Sequence, residues 1–197
     1  MAVAGHIRNK LTVNTCTPSA RLFTQELDAV VSGARDGRIV LHCLKDGRYV
    51  RQYRCGAIPA QKKGDPVPEA SQLVFSCHGE VVAHSWTDLS LHRFSLNGVR
   101  LATALAPTAM SCLLTAGGGE YLLTGGNDGL IRVYTLHDLC ILHTLDLQNH
   151  GGVTCMRLSP NDEYLLAGSE DGVVSIITDP RKRLHMINLA LRRAFVG

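Results

Sequence analysis

Nine histidines and seven cysteines have the most chemistry to offer in this sequence, and their spacing decides whether any of it is used. His42, His92 and His143 lie in β-rich runs far apart in the chain, the usual setting of packed or half-exposed strand residues. Cys77 and His78 are adjacent and His84 follows, but no second pair completes a tetrahedral zinc set. His150 and Asp171 could form a His–Asp pair of the nucleophilic-catalysis kind. No serine sits in a strained Gly-x-Ser-x-Gly turn, so a hydrogen bond that orients a loop is the better reading. Gly117-Gly118-Gly119 has the composition of a phosphate cradle, but the lysine and helix start that should follow are missing; it reads as a bare turn. No catalytic residue, metal set or cofactor site is expected.

The thiols lead to the same answer. Cys16, Cys43, Cys55, Cys77, Cys112, Cys140 and Cys155 are odd in number and never spaced CxxC, and most fall in strand-like runs. Buried free thiols in a reducing compartment fit this better than a disulfide framework. No apolar N-terminal run follows a basic segment, and no apolar stretch reaches the ~18–20 residues of a membrane span without Gly or Pro inside it. A cytoplasmic chain is expected. The net charge of +3 and a charged fraction of 19% favour no polyanionic partner. Aromatics make up 5% and do not interleave with basic residues, so no nucleic acid is expected either.

The elements that would position these residues show themselves by repetition. Leu122–Leu136 reads LLTGGNDGLIRVYTL, two alternating apolar runs around Asn127-Asp128-Gly129. That is a hairpin signal, because Asn, Asp and Gly tolerate the positive φ of tight turns. The phrase recurs as VSGARDGRIVLHCL at Val31–Leu44 and LLAGSEDGVVSIIT at Leu165–Thr178. Each copy sits within four short runs of period two, which reads as a four-stranded meander. Asp88, Asp128 and Asp171 follow one another at 40 and 43 residues; Asp36 precedes Asp88 by 52, with the Pro-rich loop 58–69 making up the excess. A period of about 40–45 residues with four strands per unit marks a propeller blade.

The expected organisation is a start of irregular structure or a lone outer strand over 1–21, then blades over 22–57, 70–107, 108–148 and 149–197. The last carries a basic tail. The tail from Arg181 has helical spacing as well, but RLHMINL is needed as a fourth strand and is read as one. In the second unit, His84-Ser85-Trp86-Thr87-Asp88 stands where the other copies have a short Asp-Gly turn.

The repeat resembles the WD repeat. That resemblance implies a network of a His before the first strand, a Ser or Thr on the second, the turn Asp, and a Trp ending the third. Here it maps in part: Ser32 and Asp36; Thr124 and Asp128; His150 and Asp171, with Ala167 in place of the hydroxyl. Cys43, Phe94, Tyr134 and Ile177 replace the Trp. The fold class is thus all-β, about four blades of four antiparallel strands, expected to be part of a seven-bladed ring. VVSGARDGRIVLHCLKDGRYVRQYR with LHRFSLNGVRL also resembles the C-terminal WD-repeat region of neurobeachin-like BEACH-domain proteins. This implies a non-catalytic interaction scaffold in vesicle traffic, lysosome-related organelles or autophagy, peripheral on endomembranes through its parent protein.

In a propeller the turns between second and third strands, and the loops before first strands, converge on one face. That makes Arg35, Trp86, Asn127, Glu170 and Asn149 the candidates for binding proteins or peptides. Trp86 is the sole Trp, and Trp and Arg dominate binding energy at interfaces. The alternative is a module binding anionic lipid through the basic tail, Arg181 to Arg193.

Overall fold

The computed structural model describes residues 29–33, 37–55, 70–76, 78–147, 151–178 and 185–189. The strand expected near Leu22, the Pro-rich loop, Arg35, Asp36, Asn149, His150 and the basic tail around 185–189 lie outside them. Among the described residues there are fifteen strands, one short 3-10 turn and no α-helix. They form two compact units, dividing between Pro107 and Thr108.

The first unit holds two meanders. Strands β1 (Ala29–Gly33), β2 (Arg38–Cys43) and β3 (Tyr49–Arg54) make blade 1, in the order β1-β2-β3. Strands β4 (Ala70–Phe75), β5 (Glu80–Ser85), β6 (Ser90–Ser95) and β7 (Arg100–Leu105) make blade 2. Every pairing is antiparallel. Strands β1 and β4 lie side by side. Val31, Ile39, Leu41, Tyr53, Phe75, Val81 and Phe94 fill the core between the sheets.

The second unit repeats the plan. Strands β8 (Met110–Ala116), β9 (Tyr121–Gly126), β10 (Leu130–Thr135) and β11 (Ile141–Asp146) make blade 3. Strands β12 (Val153–Leu158), β13 (Tyr164–Ser169), β14 (Val174–Thr178) and β15 (His185–Leu189) make blade 4, so the HMINL part of the expected fourth strand is a strand. Here β8 and β12 are the neighbours, around Leu114, Leu123, Ile131, Val133, Met156, Leu165 and Ile177. Each such side chain contributes about 1.5–3 kcal/mol on leaving water, which period-two runs deliver to one face of a strand.

Bulges recur at matching places and fix which residues correspond. An extra residue enters the first strand between Ala70 and Gln72, Met110 and Cys112, and Val153 and Cys155. Another register shift falls at Leu41/His42, Arg93/Phe94 and Val133/Tyr134. The second set corrects one assignment: the position of the missing Trp in blade 1 is His42, aligned with Phe94 and Tyr134, and Cys43 lies one residue beyond. Phe94 and Tyr134 are buried there, and His42 packs edge-on to Tyr49 at 6.3 Å.

The thiols are less uniformly buried than expected. Cys55 and Cys112 are buried, and burial pushes their thiols up to about 12 and about 11. Cys140 and Cys155 are exposed. Cys140 sits in a turn, and Cys155 points from the face of β12 whose neighbour Leu166 is itself 44% exposed. Strand-like surroundings set the alternation of a residue and leave open whether anything covers its face.

Candidate functional site

The turns between second and third strands are built on one device. In blade 3 the Asp128 carboxylate accepts the Leu130 N–H at 3.2 Å, and Gly129 takes φ 77°. In blade 2 Asp88 accepts the Ser90 N–H at 3.2 Å, and Leu89 occupies the glycine position with φ 54°. The apparent break in the repeat is therefore the same aspartate turn, one residue longer. A leucine in the left-handed region costs roughly 1–2 kcal/mol. The Ala106 N–H on the Leu89 carbonyl, at 2.7 Å, helps hold it there.

Beneath that turn runs a chain of polar groups whose middle members, Ser90 and His92, are buried. Ser90 Oγ lies 2.6 Å from Asp88 Oδ1 and 2.8 Å from His92 Nε2, and His92 Nδ1 lies 3.1 Å from Thr103 Oγ1. A carboxylate can only accept, so the Ser90 proton is directed at Asp88. With neutral His92, Nε2–H then donates to Ser90, and Nδ1 accepts from Thr103. Burial pushes His92 down to about 4, helped by the Arg100 charge and opposed by Asp88. Burial likewise pushes His84 down to about 4. Asp88 is raised by partial burial, but hydrogen bonds led by the Ser90 hydroxyl outweigh this and hold it below 3.8. Serine, histidine and aspartate thus meet in an order unsuited to attack. The histidine does not lie between the other two, and the serine proton is already held by the carboxylate. Ser90 is also 3% exposed, which makes the chain a brace for the turn.

Sequence reasoning missed this chain, and a signal was present. Asp88, Ser90 and His92 are spaced by two, which puts them on one face of a strand. The fourth residue after each turn aspartate is Val40, His92, Arg132 and Ser175 in the four blades. In blade 3, Arg132 Nη2 lies 2.5 Å from Asp128 Oδ2 and Nη1 lies 3.2 Å from Oδ1. Burial raises Asp128, and the Arg132 and Leu130 hydrogen bonds together with the Arg132 charge outweigh it, so the carboxyl stays below 3.8. Histidine or arginine at this position thus braces the turn from its own strand.

The other network residues fall as follows. Ser32 and Thr124 face this position across the strand pair, and their hydroxyls donate to the carbonyls of Val40 (3.4 Å) and Arg132 (3.5 Å). Asp171 accepts the N–H of Gly151, in the segment entering blade 4. Gly117-Gly118-Gly119 does cradle an anion, one supplied by the protein: the Gly117 N–H lies 2.6 Å from Asp162 Oδ2 of blade 4.

Of the five binding candidates, Arg35 and Asn149 lie outside the described residues. Trp86, in the first unit, is 50% exposed on the turn that the Asp88 chain braces. In the second unit the structure brings Asn127 and Glu170 to one end. The Glu170 N–H bonds the Gly152 carbonyl at 2.9 Å, and a Cβ on Gly152 would stand 2.9 Å from the Asn127 carbonyl oxygen. Both side chains are exposed, and Asp171 joins them through Gly151. Among the described residues no group of three His, Cys, Asp or Glu could hold a metal ion, and no helix is long and apolar enough to cross a membrane.

Comparison with known proteins places this geometry. The family profile of the neurobeachin beta propeller domain matches residues 15–184. BEACH domain-containing protein B of Arabidopsis thaliana is 37% identical over 114 residues, which are 58% of this chain and 4% of that protein. The chain therefore spans a small part of that relative. Among solved structures, a chain of the mitotic checkpoint complex superposes with a TM-score of 0.64 at 13% identity, over 82% of this chain and 48% of that one. The computationally designed Ika4 protein gives 0.60 at 23% identity, over 77% and 85%.

Proposed function

Because the chain belongs to the neurobeachin beta propeller domain family, we propose that it is a non-catalytic docking module, the propeller portion of a BEACH-type protein. It captures proteins or peptides on the turns between second and third strands. The observation that carries the reading is the pairing of an exposed anchor with a rigid base. Trp86 stands half exposed on a turn locked by the Asp88–Ser90–His92–Thr103 chain, whose middle two members are buried. A pre-ordered aromatic loses little conformational freedom on binding, and such residues dominate interface energies. Asn127 and Glu170 supply adjacent polar contacts at one end of the second unit. The parent's work in vesicle traffic, lysosome-related organelles or autophagy, cytoplasmic and peripheral on endomembranes, follows from the family resemblance. The lipid alternative falls on 181–193, mostly outside the described residues, and no described observation favours it.

The test is affinity capture by the intact chain against a Trp86→Ala, Asn127→Ala, Glu170→Ala variant whose circular dichroism is unchanged. Partners retained by the chain and lost by the variant support the reading. A set of partners that the triple variant leaves intact overturns it.

A further inference from the structure

The whole-chain charge of +3 conceals a local imbalance in blade 1. Between Arg38 and Cys55, five cations (Arg38, Lys45, Arg48, Arg51 and Arg54) accompany a single acid, Asp46. Asp46 is already engaged: it lies 2.8 Å from Arg48 Nε and accepts the Arg48 N–H at 3.0 Å. Neither Arg51 nor Arg54 forms an ion pair with a described residue. Arg51 Nη1 donates to the Asn97 carbonyl at 3.2 Å, which orients the side chain without neutralising it. The register sets Arg54 directly opposite Arg38, which concentrates positive charge on this strand pair. The other outer strands differ. β7 carries one cation, Arg100, 5.7 Å from the centre of the Phe94 ring, and β11 carries no Lys or Arg and ends on Asp146.

The charge lies on an open edge. Among the described residues strand β3 pairs with β2 alone, and Tyr49, Val50, Arg51, Gln52 and Arg54 are all exposed, Tyr49 by 54%. The Cys55 N–H bonds the Gly37 carbonyl. Antiparallel pairing alternates, so the main-chain groups of Arg54 and Gln52 point away from β2. Arginines on an edge repel a second copy of that edge while attracting a strand of opposite sign.

We propose that β3 is the docking edge for an acidic peptide, an extended segment rich in Asp and Glu that adds to the sheet. Its main chain pairs with Gln52 and Arg54, and carboxylates on its two faces lie against Arg54 on one side of the sheet and Arg51 on the other. This surface is separate from the Trp86 turn.

The probe is a fluorescein-labelled peptide of consecutive Glu residues, which offers carboxylates to both faces of the sheet, titrated by anisotropy with the whole chain. Binding is expected, falling about tenfold or more in Arg51→Glu with Arg54→Glu, and falling steeply with salt. Gln52→Pro, which removes an outward N–H and no β2–β3 bond, is expected to weaken it too. A peptide of consecutive Lys residues is expected not to bind. If Gln52→Pro does not fold, the charge reversals decide alone, with the thermal melt as their check. Equal binding by the folded charge variant, or by the Lys peptide, overturns the proposal. So does binding of phosphatidylserine vesicles, lost on charge reversal, by a chain that ignores the Glu peptide. Trp86→Ala is expected to leave peptide binding unchanged, so the two docking readings fail separately.

Discussion

Acidification should weaken the protein through blade 2 while Asp88 is still ionised. His84 is fully buried and His92 is 2% exposed, and burial lowers both from 6.5 to about 4. Above pH 6.5 both the folded and the unfolded chain hold these rings neutral, and no stability is lost. Between pH 6.5 and pH 4 the unfolded chain binds protons that the folded chain refuses, so stability falls as pH falls. From pH 7 to pH 5 the linkage amounts to about 2 kcal/mol for one such histidine. The pair together should reach between about 2 and about 4 kcal/mol, because each ring's environment includes the other's charge. Asp88 is held below 3.8 and stays ionised throughout this window, so it adds nothing to the change. Urea titrations followed by the fluorescence of Trp86, the sole Trp, should show the midpoint at pH 5 lower by about 1 M or more than at pH 7. In His84→Gln with His92→Gln the difference should largely vanish, whatever the variant's stability at pH 7. Equal midpoints at the two pH values, or an undiminished difference in the variant, would refute the account.

Two further outcomes test the second unit. Asp128→Ala strips the carboxylate from Arg132, whose side chain is 8% exposed. It should cost about 2 kcal/mol, less than a fully buried pair because Asp128 is itself 32% exposed, and Arg132→Leu should recover much of it in thermal melts. Gly125→Ala places a Cβ 2.6 Å from Cys112 Sγ and 2.7 Å from Val153 Cγ1. It should lower stability by about 1–3 kcal/mol. Cys112→Ala should restore only part of that, since Val153 remains.

The architecture was legible in the sequence because it rests on local rules. Period-two runs and Asp-Gly turns act over a few residues, and four copies of one pattern leave little room for another fold. The strand Leu130–Thr135 and its turn at Asp128 could be read in this way from LLTGGNDGLIRVYTL alone. The equivalence of positions was legible too: six residues on from each turn aspartate stand His42, Phe94, Tyr134 and Ile177, so a count along the sequence places the missing-Trp position at His42 and not Cys43, as the register does.

What the sequence determined by itself was therefore the element types, their order and the repeat, together with the family resemblance. Tertiary structure alone decided what each polar residue does. His92 read as an ordinary strand histidine until Ser90 and Thr103 were set against its two ring nitrogens. Asp88 looked like part of a broken turn until Leu89 took the left-handed conformation. Arg54 was one cation in a balanced composition until the register put it opposite Arg38 on an open edge. The physical reason is common to all three. Charge, proton position and exposure depend on distances across strands, and residues ten or more apart in the chain set those distances.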